Sequence, residues 1–82
     1  MNVWRAASEL ARDGRKAALA TVAATRGSTP VPAGEKMLVG PEGRLLGTVG
    51  GGCVEAEVIA AALAAQQDGT PRLLTQHLNA DL

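Results

Sequence analysis

The sequence predicts a single small α+β domain in the order helix, strand, strand, strand, helix, strand, with the helices packed on a mixed sheet. Three observations predict this class. Apolar residues recur at helical spacing over residues 2–13, and helix formers fill residues 53–67. Between these segments, short apolar runs flank a turn signal rich in glycine and proline. A chain of 82 residues has room for one core, so we expect one domain over residues 1–82.

The first helix and first strand follow from residue periodicity. Over residues 2–13, Val3 and Leu10 lie on one apolar stripe, and Gly14 follows as a C-terminal stop. Residues 17–25 form a nearly continuous run of small apolar residues and threonine, which predicts a strand buried on both faces.

The middle of the chain predicts a loop and then a β-hairpin. Two prolines and two glycines within residues 26–35 predict an ordered loop without regular structure. The runs KMLV and RLLGTV then flank GPEG, in which Pro41 suits the second position of a turn and Gly43 can take a positive φ.

The last two predicted elements suggest where a ligand would bind. Residues 53–67 predict a helix, and residues 72–77 predict a final strand, reached by a right-handed crossover. If that strand is parallel to the strand of residues 44–49, both carboxyl ends lie at one sheet edge, where open α/β sheets bind ligands. The strand ending at Thr25 leads to the same edge if it too is parallel to residues 44–49.

Composition excludes several functions. The formal net charge is zero and one residue is aromatic, so we expect no nucleic-acid or membrane surface. One cysteine cannot form an internal disulfide, and no long apolar span is evident, which predicts a cytoplasmic protein. Sixteen alanines and ten glycines leave few bulky core side chains beside Trp4, so we expect apolar surface to be buried in a homo-oligomer or against a partner protein.

Gly50, Gly51 and Gly52 precede the second helix. They could bring an anionic group close to the amides of the first helical turn, or they could serve only a sharp turn, and the glycines alone leave both alternatives open. Neither a P-loop nor a dinucleotide fingerprint is matched, because Cys53 stands in the place of lysine and Glu55 in that of a small residue.

Polar and reactive side chains surround this turn in the sequence. The helix dipole favours a thiolate at Cys53, which could ligate a soft metal, carry sulfur or be oxidised, whereas an inert buried thiol is the alternative. Glu55 has the spacing to cap the helix. His77 would lie nearby, but one Cys and one His cannot form a metal site. Two cationic side chains and two hydroxyls could bind a phosphate: Arg26, Lys36, Ser28 and Thr29. Each of these residues alone is more typical of a solvated surface or a turn.

Two linked blocks, RGSTP…G…M in residues 26–37 and G.VGGGCVE in residues 47–55, closely resemble the N-terminal domain of the XdhC/CoxI family. The GGCVE ending is similar to the CoxI branch. The resemblance implies a non-catalytic accessory protein that binds molybdenum cofactor, as molybdopterin or its cytosine dinucleotide, and delivers it to the apoenzyme of a xanthine dehydrogenase or carbon monoxide dehydrogenase type molybdenum hydroxylase. The cofactor-binding positions it implies are Arg26, Gly27, Ser28, Pro30, Gly50, Gly51, Gly52, Cys53 and Glu55, with Cys53 also a candidate molybdenum contact.

The chain departs from the family pattern in two ways. Val31 stands where many members have arginine, which removes one anion-binding charge. The family's Rossmann-like C-terminal domain is absent from residues 1–82. The chain is then either a natural single-domain protein, for which a separate Rossmann-like subunit is a candidate partner, or a fragment. Two alternatives therefore stay open: a ligand-free assembly or docking module that dimerises or binds a partner subunit, and a small redox or sulfur-transfer enzyme that uses Cys53.

Overall fold

The computed structural model describes residues 2–25, 31–50 and 52–75. The chain forms five elements in the order helix, strand, strand, strand, helix, which confirms the α+β class. Their bounds are α1 Val3–Arg12, β1 Ala18–Thr21, β2 Lys36–Gly40, β3 Gly43–Gly47 and α2 Gly52–Asp68.

Helix α1 is capped at both ends by local sequence. The Asn2 side chain accepts hydrogen bonds from the backbone amides of Trp4 and Arg5, at 3.0 and 3.1 Å. At the other end Gly14 takes a φ of 72°, and its amide donates to the carbonyl of Ala11. The predicted helix and its glycine stop are confirmed.

The sheet has the order β1-β2-β3, and both neighbouring pairs are antiparallel. Strands β2 and β3 form the predicted hairpin, with Gly40 paired to Gly43 and a φ of 127° at Gly43. Leu38 pairs with Leu46 and Val39 with Arg44, so Leu45 is an extra residue that makes a bulge.

The core lies between the sheet and α2. Met37 and Val39 of β2 are fully buried, and Val49 and Ala62 are buried beside them. Partly buried residues that include Val58 and Ile59 of α2 pack against this cluster. Leu38 points to the opposite face because side chains alternate along a strand. It is buried there too, in the floor of a depression that Ala7 and Ala11 of α1 also line. Helices therefore cover both faces of the sheet.

Two parts of the predicted topology are wrong for the described residues. The sheet is antiparallel, not mixed, and residues 72–75 are not in a strand. The polar groups of this segment bond locally instead, since Asp68 accepts from the Thr70 amide and pairs with Arg72. The remainder of the predicted strand, residues 76 and 77, lies outside the described residues.

Strand β1 is also shorter than predicted, and it is not buried on both faces, since Leu19 and Thr21 are exposed. The strand ends at Thr21. Beyond it, the Val22 amide donates to the Glu35 carbonyl, and the Gly34 amide donates to the Val22 carbonyl. These two bonds close the base of the long loop between β1 and β2.

Candidate functional site

The carboxyl ends of β1 and β3 lie at the same edge of the sheet. Both strands are antiparallel to β2, so they run in the same direction. The chain leaves β1 towards Arg26 and leaves β3 towards Gly50, which means that the two sequence blocks both start from this edge. The condition that β1 and β3 share a direction is thus confirmed. We call this end of the sheet, with Thr21, Lys36 and Gly47 side by side, the glycine-turn edge.

A network of polar contacts joins the end of β3 to the first turns of α2. The Thr48 hydroxyl donates to the Glu55 carboxylate at 2.5 Å and accepts from the Gly50 amide at 3.2 Å. Arg44 lies 3.2 Å from the other carboxylate oxygen and donates to the Gly47 carbonyl at 3.1 Å. The Glu55 side chain is 17% exposed, so this ion pair is partly shielded from water. The network fixes the start of α2 against β3.

Gly47 sets the geometry where β3 ends. Its φ is 77°, and a Cβ placed on it would lie 2.1 Å from the carbonyl oxygen of Lys36. No side chain fits at that separation. The backbone of β3 therefore approaches β2 closely at this edge and turns out of the sheet immediately afterwards.

A second group of side chains lies at the same edge, beside the start of α1. Lys36 donates to the Thr21 hydroxyl at 3.2 Å, and its ammonium lies 5.6 Å from the centre of the Trp4 ring. Trp4 is 62% exposed. Next to this cluster is a shallow depression of about 290 Å³ that is lined by Val3, Gly34, Glu35, Lys36 and Gly47.

The structure describes part of the predicted site. Gly50 lies two residues before α2, and Gly52 and Cys53 are in the first turn of that helix. Glu55 is at the same turn, but its carboxylate contacts Thr48 and Arg44, whereas the sequence suggested a helix cap. The other predicted positions, Arg26, Gly27, Ser28, Pro30 and Gly51, lie outside the described residues, as do Thr29, His77 and the thiol of Cys53.

Sequence reasoning missed three residues that the fold brings to this edge. Arg44 and Thr48 are recognised as part of the edge only from their contacts with Glu55 in the structure. Trp4 was considered in the sequence only as an apolar residue. A weak signal exists for Thr48, which lies immediately before the VGGG run. Nothing in the sequence links Trp4 with Lys36, because the contact depends on how α1 lies over the sheet.

Within residues 2–25, 31–50 and 52–75, no three His, Cys, Asp or Glu side chains gather as metal ligands. In the same ranges, no helix is both long and apolar enough to span a bilayer.

The fold and this edge define a small α+β domain with a glycine turn between its last strand and its second helix. Residues 10–77 match the XdhC and CoxI family, so the chain belongs to that family. The resemblance inferred from the two sequence blocks is confirmed.

Two curated relatives come from Escherichia coli strain K12. The chain is 41% identical to the uncharacterized protein YqeB over 73 residues, which is 89% of this chain and 13% of YqeB. It is 39% identical to the molybdenum cofactor insertion chaperone PaoD over 70 residues, which is 85% of this chain and 22% of PaoD. The chain thus spans less than a quarter of either relative. No solved structure matches it significantly. The expectation of a non-catalytic accessory protein agrees with the name of PaoD.

Proposed function

We propose that this domain binds molybdenum cofactor as cargo and assists its insertion into a molybdenum hydroxylase of the xanthine dehydrogenase or carbon monoxide dehydrogenase type. The observation that carries the proposal is the common direction of β1 and β3, by which both family blocks leave the sheet at the glycine-turn edge. Similarity to PaoD, a molybdenum cofactor insertion chaperone, supports the choice of cargo.

The described residues would hold the cargo's anionic part through the backbone. Gly50 has no side chain to cover the turn, and the amides that begin α2 carry the positive end of the helix dipole. The contacts of Thr48 with Glu55 and with the Gly50 amide hold Gly50 near the first turn of α2 before any ligand arrives. Preorganisation of this kind lowers the entropic cost of binding.

The remaining predicted positions complete the proposed site. Arg26 and Ser28 would add a cation and a hydroxyl for a phosphate, and Gly27 and Pro30 would shape their loop. Gly51 and Gly52 would keep the approach open, and Cys53 would supply a soft thiolate ligand for molybdenum. In this role the protein protects and transfers its cargo and catalyses no reaction.

The proposed partners follow from the same role. The apoenzyme must accept the cofactor, and a Rossmann-like subunit would provide the second half of the binding surface. We also propose a homo-oligomer, because the described surface includes exposed large apolar side chains such as Leu45 and Leu73. The proposed location is the cytoplasm.

Binding of molybdenum-loaded molybdopterin to the purified chain tests the proposal. We expect the cofactor to raise the melting temperature of the protein and to change its own absorbance on binding. Cys53→Ala should need about tenfold more ligand for the same two effects, because one metal ligand is lost. Asp68→Asn, at the far end of α2, is the control and should bind like wild type. Absence of binding with molybdopterin and with its cytosine dinucleotide, alone or with the apoenzyme, would contradict the proposal.

The exposed apolar side chains also favour a second candidate function, a docking module that has lost the ligand. Leu73 is 87% exposed, and Leu45 and Leu74 are about half exposed. A pull-down with the apoenzyme separates the two functions. Docking would be established, and transport of the cofactor excluded, by two results together. Wild type, Cys53→Ala and Gly51→Val would all retain the apoenzyme, and none of them would bind the cofactor.

A further inference from the structure

The cluster beside the start of α1 has the chemistry of a site for a flat heteroaromatic ring. Trp4 is the single aromatic residue of the chain, yet it is 62% exposed at the same edge from which both family blocks leave the sheet. Burying a tryptophan removes a large apolar area from water, so a core position would be expected for the one aromatic side chain available. Its position at this edge points to a ligand that stacks on it.

The surroundings of Trp4 supply polar groups with opposite charges. The Lys36 ammonium lies 5.6 Å from the ring centre and is held by the Thr21 hydroxyl. Glu35, the residue before it, lines the adjacent depression together with Lys36. A carboxylate accepts hydrogen bonds from a ring N–H and an exocyclic amine, whereas an ammonium donates to a ring carbonyl.

Backbone geometry keeps this depression shallow and open. Gly34 and Gly47 form part of its wall and have no side chains to fill it. A side chain on Gly47 would collide with the Lys36 carbonyl oxygen, which lies 2.1 Å from the Cβ position. The loop base is fixed by the hydrogen bonds between Val22 and residues 34–35. The depression is therefore a fixed part of the fold, with a volume of about 290 Å³.

We propose that Trp4, Glu35 and Lys36 form a subsite for the pterin ring of the cargo. The ring stacks on the indole of Trp4, its 2-amino group and neighbouring N–H donate to Glu35, and its carbonyl accepts from Lys36. The inference rests on the proposed function. It adds Trp4, which lies outside both family blocks, and Glu35 and Lys36, which are not among the matched positions of the first block. The glycine turn then holds the phosphate end and this subsite holds the ring, both at the glycine-turn edge.

Binding of a fluorescent pterin tests the subsite separately from the cofactor. The probe is pterin, followed by its fluorescence anisotropy, and lumazine is the matched ligand in which an oxo group replaces the 2-amino group. We expect Trp4→Ala to weaken pterin binding by about tenfold and Trp4→Phe by less, since a smaller ring still stacks. Leu73→Ala, which also truncates an exposed apolar side chain, should have no effect.

Glu35→Gln tests recognition of the amino edge. It should weaken pterin binding about fivefold and lumazine binding by less, because lumazine keeps the ring N–H but has no 2-amino group to donate to Glu35. The preference for pterin over lumazine should therefore fall. Glu42→Gln, an exposed carboxylate at the hairpin turn, is the matched control. Far-ultraviolet circular dichroism checks that each variant is folded.

The outcomes separate this inference from the proposed function. Equal pterin affinity in wild type, Trp4→Ala and Glu35→Gln would overturn the subsite, and so would a wild type that binds molybdopterin with an affinity indifferent to both changes. A wild type that binds neither pterin nor molybdopterin would overturn the subsite and the proposed function together.

Discussion

The two ends of the three-stranded sheet have different construction. At the hairpin end, two residues connect β2 to β3, and Gln66 of α2 donates to the carbonyls of Val39 and Gly40, both at 3.0 Å. At the glycine-turn edge, a long loop leaves β1, and a charged network holds the turn that follows β3. One end closes the fold with neutral hydrogen bonds, and the other holds two chain segments in position where the family blocks begin.

This difference teaches which contacts serve stability alone. A buried carbonyl that lacks a partner costs free energy, so the Gln66 amide at the hairpin end is explained by the fold. The ion pair of Arg44 and Glu55 is half exposed on the arginine side, where an isolated pair contributes little stability. Its value lies in fixing the glycine turn. Changes at the hairpin end should therefore alter stability only, whereas changes at the glycine-turn edge should alter stability and binding.

The largest effect is expected from Gly47→Ala. A methyl group would meet the Lys36 carbonyl at 2.1 Å and the backbone would keep an unfavourable φ of 77°. We expect a loss of about 3 kcal/mol or more in the free energy of unfolding, measured by urea denaturation. Gly14→Ala is the matched control, because its φ is 72° but nothing lies within 4 Å of the added methyl. It should cost about 1 kcal/mol. Equal losses would show that close approach of β2 and β3 is unimportant.

The hairpin and the helices were predictable from sequence because their signals are local. Asn2 and Gly14 bound α1 through contacts within the same turn, and Gly43 takes the positive φ that the GPEG turn requires. The final strand was predicted from Leu73 and Leu74. Two apolar residues in a row are compatible with a strand and also with the irregular segment that the structure shows. Residues 72–75 have no strand partner in the described structure, and pairing is a tertiary property that no short run encodes.

The candidate site was predictable as motifs but not as contacts. The glycine run and Glu55 were recognised from the sequence, and the common direction of β1 and β3 could be stated only as a condition. Arg44, which pairs with Glu55, lies in β3 next to the bulge at Leu45. The apolar pattern of RLLG does not indicate that bulge. Tertiary packing also decides the contact of Trp4 with Lys36.

A double-mutant cycle on Thr48 and Glu55 should give the next largest effect. Thr48→Val removes a hydroxyl that donates to Glu55 and accepts from Gly50, so we expect a loss of about 1 to 2 kcal/mol in the free energy of unfolding. Glu55→Gln should cost about 1 kcal/mol, and the double variant should cost less than the sum because the two groups share one bond. Both single variants should also weaken cofactor binding. Strict additivity would contradict the direct contact.

Gln66→Met tests the hairpin end with a side chain of similar size. Loss of the amide leaves the carbonyls of Val39 and Gly40 without this donor, and we expect a cost of about 1 kcal/mol in the free energy of unfolding. Cofactor binding should stay at the wild-type level, in contrast to Glu55→Gln. A binding defect in Gln66→Met equal to that in Glu55→Gln would remove the distinction between the two ends.

The smallest effect is expected from Asp68, where α2 ends near the hairpin. Hydrogen bonds from Arg72 and from the Thr70 amide hold the pKa of this carboxyl below its ordinary value of 3.8. A lowered pKa in the folded state means that the contribution to stability is present above the unfolded value and is lost as the pH falls through the folded value. Wild type should therefore be slightly more stable than Asp68→Asn at neutral pH, and the difference should vanish in acid. Arg72→Gln should reduce this pH dependence, because Arg72 is the larger cause of the shift. A difference between wild type and Asp68→Asn that is the same at neutral and acidic pH would show that the charge on Asp68 does not stabilise the end of α2.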